Sequence, residues 1–213
     1  MKISASFLSI KEDVKINIKK LDQTTIDYLH LDIMDGYFVD NKTWGIKEVL
    51  ETLNDTSKPL DVHLMVRDIF KYIDNYKALK PVFITFHLEA TSNPLEVIDY
   101  LKQNNIKVGM SIKPNTEISE LEPYLSYLDL VLIMSVEPGM GGQSFIKNSI
   151  EKIELLNQLR KENNYHYLIE VDGGINDDTA KFCEKADILV VGSYITNSAD
   201  YQNQINKLQR NRK

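Results

Sequence analysis

Along the chain, short runs of apolar residues alternate with longer stretches in which apolar side chains recur every three or four places among charged ones. The short runs are KISASFL (2–8), DYLHLDIM (27–34), LDVHLMV (60–66), VFITFHL (82–88), KVGMSI (107–112), LDLVLIMSV (128–136), YLIEVDGG (167–174) and ILVVGSYI (188–195). Their length predicts strands, and parallel strands that are covered on both faces read as such nearly unbroken apolar runs. Between them, VKINIKKL, IKEVLETL, IFKYIDNYKAL, PLEVIDYLKQN, NSIEKIELLNQLRKEN and DDTAKFCEKA predict helices, as does DYQNQINKLQR after the last strand. A weaker helical pattern lies in ISELEPYLSY. Strand and helix in strict alternation predict an α/β fold. Right-handed crossovers can close eight such units into a (β/α)8 TIM barrel, with a doubly wound open sheet as the alternative. No linker or low-complexity tract divides the chain, so residues 1–213 are expected to form a single domain.

The strands are not purely apolar, and the exceptions cluster. In YLHLDIMDG (28–36), His30, Asp32 and Met34 occupy every second place and share one face, while Leu29, Leu31 and Ile33 share the other. His63 and Met65 end the third strand, Thr85 and His87 the fourth, Met134 the sixth and Asp172 the seventh. Barrel enzymes build their sites at the C-terminal ends of strands, and that is where these residues fall. Two imidazoles and two carboxylates, His30, Asp32, His63 and Asp172, suit Zn2+, Fe2+, Mn2+ or Co2+. The bland alternative is a set of satisfied polar groups at a barrel rim. A lone histidine would favour that alternative; four such residues, all at strand ends, favour the metal. His87, with Glu89 two places on, is expected to support the site from behind or serve the fold. His166, at a strand start, has no functional reading.

Glycines give an independent signal. Of nine, six fall after the last three strands: Gly139, Gly141 and Gly142, then Gly173 and Gly174, then Gly192. Glycine lets a backbone approach a ligand closely, and barrel phosphate sites sit in these last loops. Tight turns would also use glycine, but three neighbouring junctions in a glycine-poor chain point to a phosphate cradle, to which Ser193 can add a hydroxyl. Met34, Met65 and Met134, each ordinary core filler taken singly, together make a dry, polarizable floor.

Composition changes this picture little. With 43% hydrophobic and 26% charged residues the chain reads as globular, and a net charge of -6 argues against a nucleic-acid partner. The one cysteine, Cys183, rules out an internal disulfide and is expected to be a buried small hydrophobe in a helix. No run approaches a membrane-spanning length, and the N-terminus meets charges too soon for a secretory signal, so a soluble, cytoplasmic protein is expected.

These residues resemble a known family. YLHLDIMDGYFV, DVHLMV, FHLEAT, VGMSIKPNT, MSVEPGMGGQSF, IEVDGGI and VGSYI are similar, in order and spacing, to the motifs of the ribulose-phosphate 3-epimerases, over nearly the whole chain. The resemblance implies a (β/α)8 barrel that interconverts D-ribulose 5-phosphate and D-xylulose 5-phosphate, in the pentose phosphate pathway, with one divalent metal, Zn2+ first among the candidates. It implies His30, Asp32, His63 and Asp172 as ligands, and Asp32 and Asp172 as the acid/base pair. It also implies Ser6, His63 and the three methionines beside the sugar, phosphate at the glycine loops and Ser193, and a homodimer or hexamer. The sequence departs from the family at Ala5 and Asp40 (commonly proline), Tyr37 (commonly histidine), and Trp44 and Met140 (commonly phenylalanine). None removes a ligand; they bear on substrate preference and loop mobility.

Inversion at C3 needs two acid/base groups on opposite sides of a planar enediolate, which is what two aspartates from different strands offer. Three alternatives stand beside this reading. An epimerase for D-allulose 6-phosphate would share the chemistry and differ in room around the sugar. A non-catalytic phosphate-binding barrel would leave the acidic residues idle. A barrel lyase or decarboxylase is disfavoured because the second strand carries no lysine among its acids.

Overall fold

The computed structural model describes residues 1–210. Eight parallel strands close on themselves in sequence order, so the barrel rather than the open sheet is the fold. They are β1 (Lys2–Ser6), β2 (Tyr28–Met34), β3 (Leu60–Met65), β4 (Phe83–His87), β5 (Lys107–Ile112), β6 (Leu130–Met134), β7 (Leu168–Asp172) and β8 (Ile188–Val191). Outside them pack α1 (Val14–Asp22), α2 (Ile46–Leu53), α3 (Ile69–Tyr76), α4 (Pro94–Gln103), α5 (Asn148–Glu162), α6 (Ser193–Thr196) and α7 (Tyr201–Arg210).

Period-two alternation divides the apolar residues into two cores separated by the sheet. Leu29, Leu31 and Ile33 of β2 belong to the large outer core beneath the helices. Tyr28, Phe83, Leu130, Leu132 and Ile188 form a smaller core inside the barrel, toward the N-terminal ends of the strands. Apolar side chains therefore plug the bottom of the barrel, while its upper layers mix polar groups with Met34, Met65, Met134 and Val136. Parallel partners share a face, so the register carries the inward set around the ring. Asp32 pairs with His63, Met34 with Met65, His63 with Thr85 and Met134 with Asp172.

Three predicted elements come out differently. ILVVGSYI is not one strand: β8 stops at Val191, and Gly192 turns the chain into α6, whose Ile195 and Thr196 N–H groups donate back to the Gly192 carbonyl. The apolar Tyr194 and Ile195 made that turn look like continuing strand. DDTAKFCEKA forms only a 3-10 stretch, Thr179–Cys183. The Asn176 side chain accepts from Asp178 and Thr179 N–H, and Thr179 donates to the Gly174 carbonyl, so side-chain bonds hold this turn tight. The weak helix ISELEPYLSY is likewise two 3-10 stretches, Ile118–Glu120 and Glu122–Tyr127, the second with Pro123 in its first turn. Cys183 is buried as expected, and burial pushes its thiol up to about 12.

Candidate active site

At the C-terminal ends of the strands opens a cavity of about 630 Å³. Ser6, Asp32, Met34, Met65, Met134 and Asp172 line one end. Gly139, Gly141, Gly142, Gly173, Gly174, Gly192 and Ser193 line the other. His30 and His63 are fully buried just beneath. His63, expected beside the sugar as well as among the ligands, lines no part of this cavity.

One atom each from His30, Asp32, His63 and Asp172 lies within 4.8 Å of the other three, although the residues come from three strands. Asp32 is the hub. Its Oδ2 accepts from Ser6 Oγ at 2.8 Å, and its Oδ1 lies 3.3 Å from His63 Nδ1 and 3.4 Å from His30 Nε2. Asp172 Oδ2 stands 4.0 Å from His63 Nδ1. Despite its neighbour, His30 Nε2 has no hydrogen-bond partner among the described residues, although it is completely buried. Such an orphan costs free energy on the order of 1–3 kcal/mol unless something else engages it.

The electrostatics set the two aspartates apart. Burial alone would raise the pKa of Asp32, but His30 and His63 outweigh it and hold the carboxyl far below its ordinary range. Burial raises Asp172 to about 6, helped by the charge of Asp32. Burial opposes a charge on His30, yet Asp61 and Asp32 together push its pKa well up.

Beneath the ligand cluster lies a layer not singled out in the sequence. Asp61 Oδ2 lies 2.7 Å from His30 Nδ1 and also accepts from Ser4 Oγ at 2.8 Å. Glu170 is fully buried near it; burial and the charge of Asp61 raise its pKa well above the ordinary value. Both residues stand two places before a ligand, in LDVH and EVD, so the alternation that marked His63 and Asp172 marked them as well. Asp61 is the second residue of β3 and Glu170 the central one of β7, so neither lies at a C-terminal strand end. By accepting from His30 Nδ1, Asp61 orients the ring so that Nε2 points toward Asp32, the support a metal-binding imidazole receives from a carboxylate behind it.

A second line runs behind His63. Its Nε2 lies 2.9 Å from His87 Nε2, and His87 Nδ1 lies 3.3 Å from Glu89 Oε2. Glu89 Oε1 accepts from Lys113 N–H at 2.7 Å and from the Thr116 hydroxyl. Burial lowers His87 to about 4; Glu89 falls to about 2 because its donors, His87 first, outweigh its burial. His166 is exposed and touches none of this.

The glycines serve mixed purposes. Gly173 and Gly174 have positive φ, and a Cβ on either would collide at 2.5 Å, with Val136 or with the Phe145 amide nitrogen respectively. Gly139, also at positive φ, would strike Val39. These three are fixed by turn and packing. Gly141 and Gly142 face open space, and a Cβ on Gly192 would make only ordinary contact with Ser6. Among these six, a Cβ would be sterically tolerated only at Gly141, Gly142 and Gly192, and of these Gly142 is itself held at positive φ. Ser144 and Asn176 add polar side chains to the same end, which the glycine count alone did not suggest.

Four of the five departures noted above, Tyr37, Asp40, Trp44 and Met140, lie in the loops after β2 and β6, whereas Ala5 is buried in β1. Tyr37 and Met140 are 73% and 61% exposed, and Met140 lines the cavity. Trp44 stacks on Phe7, and Asn41 ties the loop after β2 to the Gly139 carbonyl.

A sequence model described as "Ribulose-phosphate 3 epimerase family" matches residues 2–196. The chain is 37% identical over 210 residues to the ribulose-phosphate 3-epimerase of Helicobacter pylori strain J99, covering 97% of this chain and 94% of that protein. It is 36% identical over 212 residues to the enzyme of that name from Methanocaldococcus jannaschii, covering 98% and 90%. Among solved structures, 3-hexulose-6-phosphate synthase from Salmonella typhimurium superposes with a TM-score of 0.68 at 16% identity, covering 100% of this chain and 98% of that one. That last likeness is one of fold.

Proposed function

The chain belongs to the ribulose-phosphate 3-epimerase family, and from that premise we propose that it inverts C3 of D-ribulose 5-phosphate to give D-xylulose 5-phosphate, and the reverse. The observation that carries this reading is the pair of aspartates at one end of the cavity, which sit in different environments on different strands. Asp32 is the group held ionised and Asp172 the one whose proton burial favours. One takes the C3 proton and the other returns a proton to the opposite face, so configuration inverts.

The ligand set fits a divalent cation. His30 Nε2 is a buried nitrogen without a hydrogen-bond partner among the described residues, and it stands in one cluster with Asp32, His63 and Asp172. His30, Asp32, His63 and Asp172 would hold the ion, and two imidazoles with two carboxylates suit Zn2+ and also Fe2+, Mn2+ or Co2+. Bound there, it would act as a Lewis acid toward an oxyanion developing on the sugar. Ser6 holds Asp32 by donating to Oδ2, which keeps Oδ1 turned toward the histidines. Met34, Met65 and Met134 exclude water from the reacting carbon. Gly141, Gly142, Gly192 and Ser193 are proposed to take the phosphate, so that binding energy far from C3 places C3 between the carboxylates.

A parallel assay of D-ribulose 5-phosphate and D-allulose 6-phosphate tests the substrate. The pentose phosphate should be favoured by roughly tenfold or more in kcat/KM, the scale on which one extra carbon is discriminated. Equal or faster turnover of the hexulose phosphate would reassign the substrate. No turnover of either would favour a binding barrel.

A further inference from the structure

We propose that Glu89, acting through His87, fixes which nitrogen of His63 carries its proton, and so makes His63 Nδ1 a bare ligand facing Asp32 and Asp172. Glu89 and His87 are then positioning residues. The inference rests on the reading above that His63 is a metal ligand.

The argument is an inventory of protons. Between His63 Nε2 and His87 Nε2, 2.9 Å apart, one proton fits, because two N–H groups would collide and two lone pairs would repel. The other end of His87 faces Glu89 Oε2, and a carboxylate only accepts, so His87 Nδ1 carries a hydrogen. A neutral His87 then has a lone pair on Nε2, and the shared proton belongs to His63. With its hydrogen on Nε2, a neutral His63 presents a lone pair at Nδ1. Asp61 acts on His30 directly: it accepts from Nδ1, so that a neutral His30 presents its lone pair at Nε2. The two imidazole ligands are set by two separate carboxylates, one in contact and one relayed.

The far end of the relay is anchored. Glu89 Oε1 accepts the Lys113 backbone N–H, a group that can only donate, together with the Thr116 hydroxyl. Lys152 Nζ in turn donates to the carbonyls of Lys113, Pro114 and Thr116, holding that loop in place. Glu89 therefore cannot rotate to swap its oxygens freely.

This makes Glu89→Gln informative. Its amide oxygen must stay toward Lys113 N–H, which turns the NH2 toward His87 Nδ1. His87 must then accept there and carry its hydrogen on Nε2. His63 must accept at Nε2, and its own hydrogen moves to Nδ1, where the ion should bind. Glu89→Ala removes the instruction without reversing it, but leaves Lys113 N–H and Thr116 without their acceptor.

The test is Co2+ affinity of the full chain, by chelator competition and visible absorption, with thermal stability of each metal-free protein alongside. Glu89→Gln should lose about 10–100-fold in Co2+ affinity, the scale of lost outer-sphere support, with a melting temperature close to that of the parent. Glu89→Ala should lose less affinity and more stability. A purely structural Glu89 predicts that Glu89→Ala is the worse variant in both. Parent-like Co2+ affinity in Glu89→Gln, where His63→Ala abolishes binding, overturns the proposal alone. Parent-like binding by His63→Ala overturns the ligand reading and this inference with it.

Discussion

The two ends of the cavity are made of different material. At one end the chemistry depends on side chains that rigid strands aim inward, each backed by another buried group: Ser6 on Asp32, Asp61 on His30, His87 on His63. At the other, proposed to take the phosphate, Gly141, Gly142 and Gly192 leave backbone uncovered, on loops rather than strands. The first end concentrates buried charge that is costly unless engaged. The second carries almost none and needs only that nothing fill it. A reaction that moves a proton requires fixed side chains of defined protonation. Holding a distant phosphate requires a concave run of N–H groups and room.

The sharpest way to separate the ends is to neutralise one carboxylate. Asp172→Asn keeps shape and removes an acid/base group, so the barrel should fold and kcat should fall by about 10³-fold or more. Near-normal turnover would collapse the distinction, because the side-chain end would then do no chemistry. At the loop end, two glycines that look alike in sequence should behave differently. Gly174→Ala forces a side chain into φ +63 and against the Phe145 backbone, and should destabilise by about 2–3 kcal/mol, read as a lower melting temperature. Gly141→Ala adds a Cβ that meets nothing within 4 Å; it should leave the melting temperature unchanged and raise KM for the sugar phosphate roughly tenfold, with kcat little altered. If both merely destabilise, the loop is scaffold and the phosphate lies elsewhere.

The contrast also explains what the sequence revealed. The barrel was legible because each strand and most helices declare their period. The places where the reading slipped, Ser193–Thr196 and Thr179–Cys183, are short turns shaped by Gly192, Asn176 and Thr179 rather than by periodicity. The side-chain end was legible residue by residue, since alternation within one strand puts His30, Asp32 and Met34 on one face. Of their supports, Ser6 and His87 were named from the sequence, while Asp61 was not. Asp61 matters only because β3 lies beside β2, and Glu89 only because His87 stands against His63, contacts that depend on the closed register. At the loop end sequence counted six glycines as one feature. Structure separates Gly139, Gly173 and Gly174, fixed by packing, from those facing open space, a distinction that depends on which neighbour stands where a Cβ would go.

The most direct test of the two-carboxylate scheme follows C3 hydrogen in D2O at early times, starting from protonated D-ribulose 5-phosphate. With Asp32 and Asp172 on opposite faces, the xylulose 5-phosphate formed should carry deuterium at C3 while recovered ribulose 5-phosphate remains protonated. Product that keeps the original hydrogen, or substrate that exchanges as fast as product forms, would contradict the scheme.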